Sequence, residues 1–191
     1  MQESVIGLLS ARTGHFRYES GHHGNLWLDL NALWSRPALL RPALFELGRR
    51  LAGHGIAGVC GPQTGGAFVA YAVASEHDLL FFVTERIVKP GSGTVRYHLP
   101  EALRERARGM RLAVVDDVIN AGSATGGTLA ALDAADAMPV AIGALLVLGE
   151  AAPALAAARG IPLETIARLP NSLWLPADCP LCAAGTPLED G

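Results

Sequence analysis

Two adjacent carboxylates, Asp116 and Asp117, follow an apolar run and are the residues best suited to chemistry in this chain. The four residues before them, Leu112 to Val115, predict a parallel strand that is buried on both faces. Neighbouring side chains on a strand point to opposite faces, so this pair does not suit an opposed acid and base. The two acids suit a vicinal diol, or water on a bound metal, better.

A loop of small residues follows the acids, from Asn120 to Ala124, and a helix is predicted behind it from Gly126 to Asp136. Successive backbone N–H groups in such a loop can converge on one phosphate at the positive end of the helix. The hydroxyls of Ser123 and Thr125 can add donors. A strand followed by an N-capped helix would explain Ser123 or Asn120, but not two acids at the strand terminus. The segment therefore predicts a site for a sugar phosphate.

A second loop, Gly61-Pro-Gln-Thr-Gly-Gly66, lies between a predicted strand at 56–60 and a predicted helix at 67–76. Its glycines let the backbone approach a ligand closely, although a plain turn could have the same composition. Parallel sheets bind ligands beyond the carboxyl ends of their strands, where this loop and the loop after Asp117 both fall. The pairing of the two loops supports the ligand-binding interpretation of each.

These motifs resemble those of the type I phosphoribosyltransferases, whose signature is a hydrophobic strand, two acids, two apolar residues and a Thr-Gly-type loop. The version in this chain is similar to that of the orotate phosphoribosyltransferases, with Asn120 where a threonine is usual. The resemblance implies that the acids hold the ribose hydroxyls of phosphoribosyl pyrophosphate (PRPP), that the next loop holds its 5-phosphate, and that the glycine-rich loop contacts its pyrophosphate. The implied PRPP-binding residues are Asp116, Asp117, Asn120, Ala121, Gly122, Ser123, Ala124, Thr125, Thr64, Gly65 and Gly66.

The stretch from Thr84 to Pro100 has no periodicity, and its cations include Arg86 and the only lysine of the chain, Lys89. We interpret it as a mobile basic lid, with a solvated loop of incidental charge as the alternative. A closing cationic loop would neutralise a departing pyrophosphate and exclude water from a sugar cation. The resemblance implies a loop that reaches the neighbouring subunit's active site. In this chain Glu85-Arg86 replaces the usual Arg-Lys pair, and Gly91 replaces a histidine.

The segment from Gly14 to Asp29 resembles the hood that covers the base in the same family. Phe16 and Trp27 would form an apolar wall against a flat ring. Glu19 stands where the family has a lysine for the carboxylate of orotate, and Glu150 follows the strand after which relatives offer an arginine. These acids disfavour an anionic base. The residues therefore favour a neutral or amino-bearing base, whereas the resemblance implies orotate.

Helical stretches alternate with short apolar runs, which predicts an α/β fold with a parallel sheet. The resemblance implies the type I phosphoribosyltransferase fold, a central parallel sheet flanked by helices with a small N-terminal hood. We expect one domain over residues 1–191, its hood contributed by about 12–36 and the C-terminal tail. The other predicted elements are helices at 3–12, 37–53 and 153–159 and strands at 79–83, 140–148 and 163–167.

Composition is consistent with a compact enzyme, because half of the 191 residues are hydrophobic and can bury a core. A general nucleic-acid binder would need a basic face, which the formal net charge of −3 does not indicate. The sequence lacks a signal-peptide pattern and an apolar run of ~18 residues. We therefore expect a cytoplasmic protein that binds neither nucleic acid nor membrane.

Histidine and cysteine pairs offer a second kind of chemistry. The adjacent residues His22 and His23 face opposite ways on an extended segment, which disfavours metal binding by both. Cys179 and Cys182 form a single CxxC pair, and a structural zinc would need two more ligands that the tail does not supply, unless a dimer completed four. We expect reduced structural cysteines there and a core position for Cys60.

The reaction implied by the resemblance is displacement of pyrophosphate from C1 of PRPP by a ring nitrogen, through a transition state like a ribosyl oxocarbenium ion. The predicted catalytic residues are Asp116 and Asp117, which would orient the ribose, and Arg86 and Lys89, which would stabilise the leaving group. Mg²⁺ is the expected cofactor, held through PRPP and not directly by the protein. A homodimer that shares the lid between subunits is implied. The alternatives are a phosphoribosyltransferase for a non-anionic base and a non-catalytic PRPP-binding regulator.

Overall fold

Ten strands and seven α-helices occur in the part of the chain that the computed structural model describes, residues 5–18, 20–88, 91 and 95–190. The strands are β1 (Ser10–Arg17), β2 (His23–Asp29), β3 (Gly58–Pro62), β4 (Leu80–Val88), β5 (Val95–His98), β6 (Arg111–Ile119), β7 (Met138–Leu148), β8 (Leu163–Leu169), β9 (Leu173–Trp174) and β10 (Glu189–Asp190). The helices are α1 (Asn31–Trp34), α2 (Pro37–Ala52), α3 (Gly65–His77), α4 (Glu101–Ala107), α5 (Ser123–Asp133), α6 (Ala151–Arg159) and α7 (Pro180–Ala183).

The larger of two sheets has six strands in the order β5-β4-β3-β6-β7-β8. The five strands β4, β3, β6, β7 and β8 are parallel to one another, and only the edge strand β5 is antiparallel to its neighbour. Parallel neighbours need crossover connections, which the intervening helices supply. The predicted α/β fold with a central, mostly parallel sheet flanked by helices is confirmed.

The apolar run before the two acids is buried on both faces of this sheet. In β6, Leu112 and Val114 pack with residues of α5 and α6, whereas Ala113 and Val115 pack with residues of α2 and α3. Burial of a Val or Leu side chain contributes about 1.5–3 kcal/mol relative to its exposed state. The strand that carries the acids is therefore held rigidly from both sides.

A small four-stranded sheet, in the order β10-β1-β2-β9, joins the two ends of the chain. The antiparallel pair β1–β2 forms its centre, and the short tail strands β9 and β10 add to either edge. These are the segments that the sequence analysis assigned to a hood. That all residues form one domain stays a prediction.

The predicted helix at 3–12 is wrong over its second half, because β1 begins at Ser10. Within the described part of that segment only Val5 and Ile6 are helical. The residues from Ser10 to Thr13 instead pair with Leu26 to Asp29 of β2. Cross-strand hydrogen bonds to a distant partner outweigh the local helical pattern here.

The stretch from Thr84 to Pro100 is also more regular than predicted. Strand β4 continues to Val88 and β5 returns antiparallel to it, with Glu85 opposite His98 and Val88 opposite Val95. The predicted lid is therefore a β-hairpin in its described parts. Lys89 lies outside the described residues.

The remaining predicted elements are present with shifted ends. The strand predicted to stop at Val115 continues to Ile119, and the helix predicted to begin at Gly126 begins at Ser123. No helix in the described part of the chain combines the length and the apolar character that crossing a membrane requires.

Candidate functional site

Asp116 and Asp117 lie near the carboxyl end of β6, beside the turn that leads from β3 into α3. The pairing of β3 with β6 ends at Val114, so this turn, and not a strand, faces the acids. Both carboxylates line one cavity of about 620 Å³. Although adjacent side chains of a strand alternate between its faces, each carboxylate approaches one of the two glycines that begin α3.

The two carboxylates have few hydrogen-bond donors for their degree of burial. Asp116 accepts the backbone N–H of Asp117 at 3.1 Å and the hydroxyl of Thr125 at 3.3 Å. Asp117 accepts the backbone N–H of Val118 at 2.8 Å, and the side chain of Trp34 also donates to it. Burial raises the pKa of both carboxyls, and the charge of Asp117 raises the pKa of Asp116 further. Such a pair is stabilised by hydroxyl donors or a cation from a ligand.

Gly65 and Gly66 leave the space that the carboxylates occupy. A Cβ atom on Gly65 would lie 2.0 Å from Oδ2 of Asp117, and one on Gly66 would lie 2.8 Å from Oδ1 of Asp116. The exposed residue Thr64 precedes them and is joined to Gln63 by a cis peptide bond. The two loops singled out in the sequence thus meet across one cavity, which Ala124 also lines.

The loop after the acids leads directly into α5. Gly122 has a φ of +76°, a conformation that side-chain-bearing residues rarely adopt, and the helix begins at Ser123. The first N–H groups of a helix have no partner within it, and its N-terminus carries partial positive charge. A second cavity of about 270 Å³ is lined by all five residues of the predicted phosphate loop, 120–124, and by Thr125. The arrangement is suited to hold an anion.

Two aromatic rings of the small sheet form a wall of this second cavity. Tyr18 and Trp27 both line it, and their rings are stacked with centroids 6.5 Å apart. The hydroxyl of Tyr18 donates to the carbonyl of Leu26, which fixes the ring. Phe16 is only 1% exposed and packs behind Trp27, with ring centroids 6.0 Å apart. Trp27 therefore lines the cavity directly, whereas Phe16 supports it from behind.

The structure describes only one of the two predicted base-pocket acids. Glu19 lies outside the described residues. Glu150 is exposed, precedes the first residue of α6, and is not among the residues that line either cavity.

The site residues missed by the sequence analysis include Tyr18, Trp34, Tyr97 and Asn171. The side-chain amide of Asn171 donates to that of Asn120 at 2.7 Å, although 51 residues separate them. Tyr97 lines both cavities. A Cβ atom on Gly127 would lie only 2.4 Å from the ring of Tyr97. A glycine inside a predicted helix was the one available signal of this close contact.

Basic side chains of the predicted lid and of α4 line a third cavity of about 610 Å³ beside the first. Arg86 lines both cavities, and Arg96, His98 and Arg104 line the third. The hairpin is anchored to α5, because the hydroxyls of Thr84 and Thr128 hydrogen-bond at 2.8 Å in a buried position. The third cavity is therefore lined by basic side chains.

The fold is that of the type I phosphoribosyltransferases. It resembles adenine phosphoribosyltransferase from Thermoanaerobacter pseudethanolicus with a TM-score of 0.69 and 13% identity, covering 88% of this chain and 100% of that one. It resembles orotate phosphoribosyltransferase from Aeropyrum pernix with a TM-score of 0.65 and 22% identity, covering 87% and 93%.

In sequence, the orotate phosphoribosyltransferase of Pelotomaculum thermopropionicum is 30% identical over 175 residues, which cover 92% of this chain and 86% of that protein. No family model matches the chain. The chain belongs to the orotate phosphoribosyltransferase family, and it is accordingly an enzyme of the pentosyltransferase class with phosphoribosyltransferase activity.

Proposed function

We propose that this phosphoribosyltransferase joins the ribose 5-phosphate unit of PRPP to orotate, and that it forms a nucleoside 5′-monophosphate and pyrophosphate. The observation that carries the proposal is the buried carboxylate pair that faces the Gly65-Gly66 turn across one cavity, with the start of α5 beside it. A sugar with a phosphate at one end and a pyrophosphate at the other matches these three features in one molecule.

The roles of the residues follow from their neighbours. Asp116 and Asp117 accept hydrogen bonds from the ribose hydroxyls, because few donors of the described residues reach the two carboxylates. The loop 120–125 binds the 5-phosphate through its N–H groups. The turn at Thr64–Gly66 and the guanidinium of Arg86 bind the pyrophosphate, since both line the cavity that the acids share. Lys89 is proposed for the same role on the resemblance alone.

In the proposed reaction a ring nitrogen of the base forms a bond to C1 as the bond from C1 to the pyrophosphate oxygen breaks, and the proton on that nitrogen passes to the departing pyrophosphate. The electron pair of that bond leaves with the pyrophosphate, so positive charge develops on the ribose ring. Ionised carboxylates near the ring stabilise this charge, and Arg86 stabilises the leaving group. The hairpin and the hood would exclude water, which could otherwise take the place of the base.

Mg²⁺ fits this site. Magnesium is usually held by one or two carboxylates together with phosphate oxygens of a substrate, and the buried pair with raised pKa values favours a nearby cation. When bound through PRPP, the ion supplies neutralisation of the pyrophosphate charge and a template for its orientation.

Orotate is proposed as the base for two reasons. The relative that is 30% identical carries the name orotate phosphoribosyltransferase. In addition, Glu150, one of the two acids that argued against an anionic base, is exposed and lines neither cavity. A neutral base is the second candidate, because no Arg, Lys or His occurs among the described residues that line the 270 Å³ cavity.

The test is to incubate the enzyme with PRPP and Mg²⁺ and each of orotate, uracil, cytosine and adenine, and to measure pyrophosphate release. Release with orotate alone supports the proposal, whereas release with another base supports the second candidate. Tight PRPP binding without release for any base would contradict an enzyme and favour a regulator. Asp116→Asn is the control, because release must depend on that carboxylate.

We also propose a homodimer, for which exposed aromatic rings give support. Phe68 and Tyr71 on α3 and Phe81 on β4 are 47%, 64% and 38% exposed, and a patch of this kind usually marks an interface. Light scattering during size-exclusion chromatography would measure the mass. A monomer at micromolar concentration would contradict the proposal. A cytoplasmic location stays a prediction.

A further inference from the structure

Four potential metal ligands from the two ends of the chain meet beneath the small sheet. They are His15 of β1, His23 at the start of β2, and Cys179 and Cys182 around the start of α7. One ligand atom from each residue lies within 4.8 Å of all the others. His15, His23 and Cys179 are 1%, 5% and 3% exposed, and both cysteines are free thiols.

The spacing of these atoms matches a tetrahedral zinc site. Zinc bonds of about 2.05 Å to nitrogen and about 2.3 Å to sulfur place tetrahedral ligands about 3.3 Å apart for two nitrogens and about 3.6 Å apart for nitrogen and sulfur. Nε2 of His15 lies 3.2 Å from Nδ1 of His23. Sγ of Cys179 lies 3.3 Å from Nε2 of His15, and Sγ of Cys182 lies 3.3 Å from Nδ1 of His23 and 3.7 Å from Nε2 of His15.

The contacts of His15 also favour a metal. Its Nδ1 lies 2.9 Å from the backbone carbonyl of Thr186, which can only accept, so Nδ1 is the donor. Nε2 faces three polar atoms at once, Nδ1 of His23 and the two Sγ atoms. One in-plane lone pair cannot accept three hydrogen bonds, whereas it can bind one shared cation. A metal-bound histidine that donates its other N–H to a carbonyl is the usual arrangement.

We propose that His15, His23, Cys179 and Cys182 bind one structural Zn²⁺. Two thiolates neutralise the ion, and imidazole and thiolate together select zinc over the harder cations Mg²⁺ and Ca²⁺. Four protein ligands fill a tetrahedral site, which leaves no position for a substrate. The ion is therefore structural and distinct from the magnesium expected with PRPP.

The site explains how the tail is held to the hood. Strands β9 and β10 contribute only two residue pairs each to the small sheet, which is weak attachment for the last part of the chain. A zinc ion would bind this tail to β1 and β2 across 164 residues of sequence, the separation of Cys179 from His15. Trp27 lies in β2 and Tyr18 directly follows β1, the two strands that carry His23 and His15. The ion would therefore also stiffen the wall that these rings form in the 270 Å³ cavity.

From the sequence, His22 was the only histidine weighed as a partner of His23, and the tail supplied only two ligands. His22 in fact contacts the hydroxyl of Ser20 at 3.2 Å. The ligand that completes the set with His23 is His15, which lies on the paired strand of the hairpin.

The test measures zinc in the full-length protein, purified under reducing conditions without chelator, by plasma mass spectrometry. We expect about one zinc ion per chain in the wild type and in His22→Ala, which changes the adjacent histidine outside the cluster. We expect loss of that zinc in Cys182→Ser and in His23→Ala. Cys182→Ser is the preferred variant because its side chain is exposed, so the substitution does not disturb the core.

A second measurement does not depend on a variant that folds. Cobalt added to the zinc-free, reduced wild type should give the visible absorption bands of a tetrahedral site with sulfur ligands, and zinc should abolish them. A strong chelator should lower the thermal midpoint of the wild type but not that of Cys182→Ser. A wild type that holds neither ion when reduced, a Cys179–Cys182 disulfide in its place, or full zinc content in Cys182→Ser would overturn the proposal.

Discussion

Replacement of Asp116 by asparagine should make the protein more stable and its PRPP site weaker. The carboxyl of Asp116 is 6% exposed, and burial together with the charge of Asp117 raises its pKa well above the usual 3.8. Ionisation of Asp116 in the folded protein is therefore unfavourable. Asparagine removes the charge and retains an oxygen that can accept the N–H of Asp117, and its amide can donate to the hydroxyl of Thr125.

The expected gain is about 0.5–2 kcal/mol in the free energy of unfolding, the range of single stabilising substitutions. For a chain of this length that corresponds to a rise of roughly 1–8 °C in the thermal midpoint. The substitution also replaces the charged acceptor of the ribose hydroxyl with a neutral one. The hydrogen bond to the charged group is worth about 1.5–3 kcal/mol. PRPP binding should weaken by about 10-fold to 150-fold, because 1.4 kcal/mol is a factor of ten.

The gain in stability should depend on pH. Below the unfolded-state pKa, 3.8, Asp116 is protonated in both states and the substitution changes little. As the pH rises, the unfolded chain releases the proton before the folded protein does, so the wild type loses stability relative to the variant. The difference in thermal midpoint should therefore widen from acidic to neutral pH and level off above the folded-state pKa.

Calorimetry measures both quantities, by thermal unfolding across pH and by titration with PRPP and Mg²⁺. Glutamine at the exposed position Glu150 is the matched control, since it removes a carboxylate that is not buried. A variant that is less stable at neutral pH, or that binds PRPP as tightly as the wild type, would refute the reasoning.

Three further substitutions test the walls of the site. Gly127→Ala should destabilise the protein by about 1–3 kcal/mol, because its Cβ would lie 2.4 Å from the ring of Tyr97. Gly126→Ala has open space around its Cβ and should be neutral or stabilising by up to about 1 kcal/mol. Thermal unfolding measures both effects. Equal effects of the two would contradict the contact. Gly65→Ala should abolish PRPP binding in calorimetry, since its Cβ would lie 2.0 Å from a carboxylate oxygen, and retained affinity would refute the site. Arg86→Ala should lower kcat more than it weakens PRPP binding if the guanidinium stabilises the departing pyrophosphate, and an unchanged kcat would exclude that role.

The strand, the acids and the phosphate loop were predictable because their signals are local. The run Leu112–Val115 is apolar without alternation, which is what burial on both faces requires, and the structure buries it on both faces. The small residues after Asn120 likewise precede a helix, whose start was predicted three residues too late. Each signal depends on side chains within about one element of the chain, so no tertiary contact is needed to recognise it.

Other features were decided by contacts that the sequence does not reveal. Strand β1 replaced part of a predicted helix because β2 supplies its hydrogen bonds, and β5 replaced part of a predicted loop because it pairs with β4. The two carboxylates converge because β3 stops pairing at Val114 and a glycine turn occupies the vacated side.

By itself the sequence determined the family resemblance, the α/β fold and the segments that could bind a sugar phosphate, because these depend on residue types at fixed short spacing. Only the tertiary structure brought Asn171 to Asn120 and the Cys179 pair to His15. Those contacts close loops of 51 and 164 residues. Residues so far apart meet only when the sheets on which they lie are assembled, and composition and spacing carry no record of that packing.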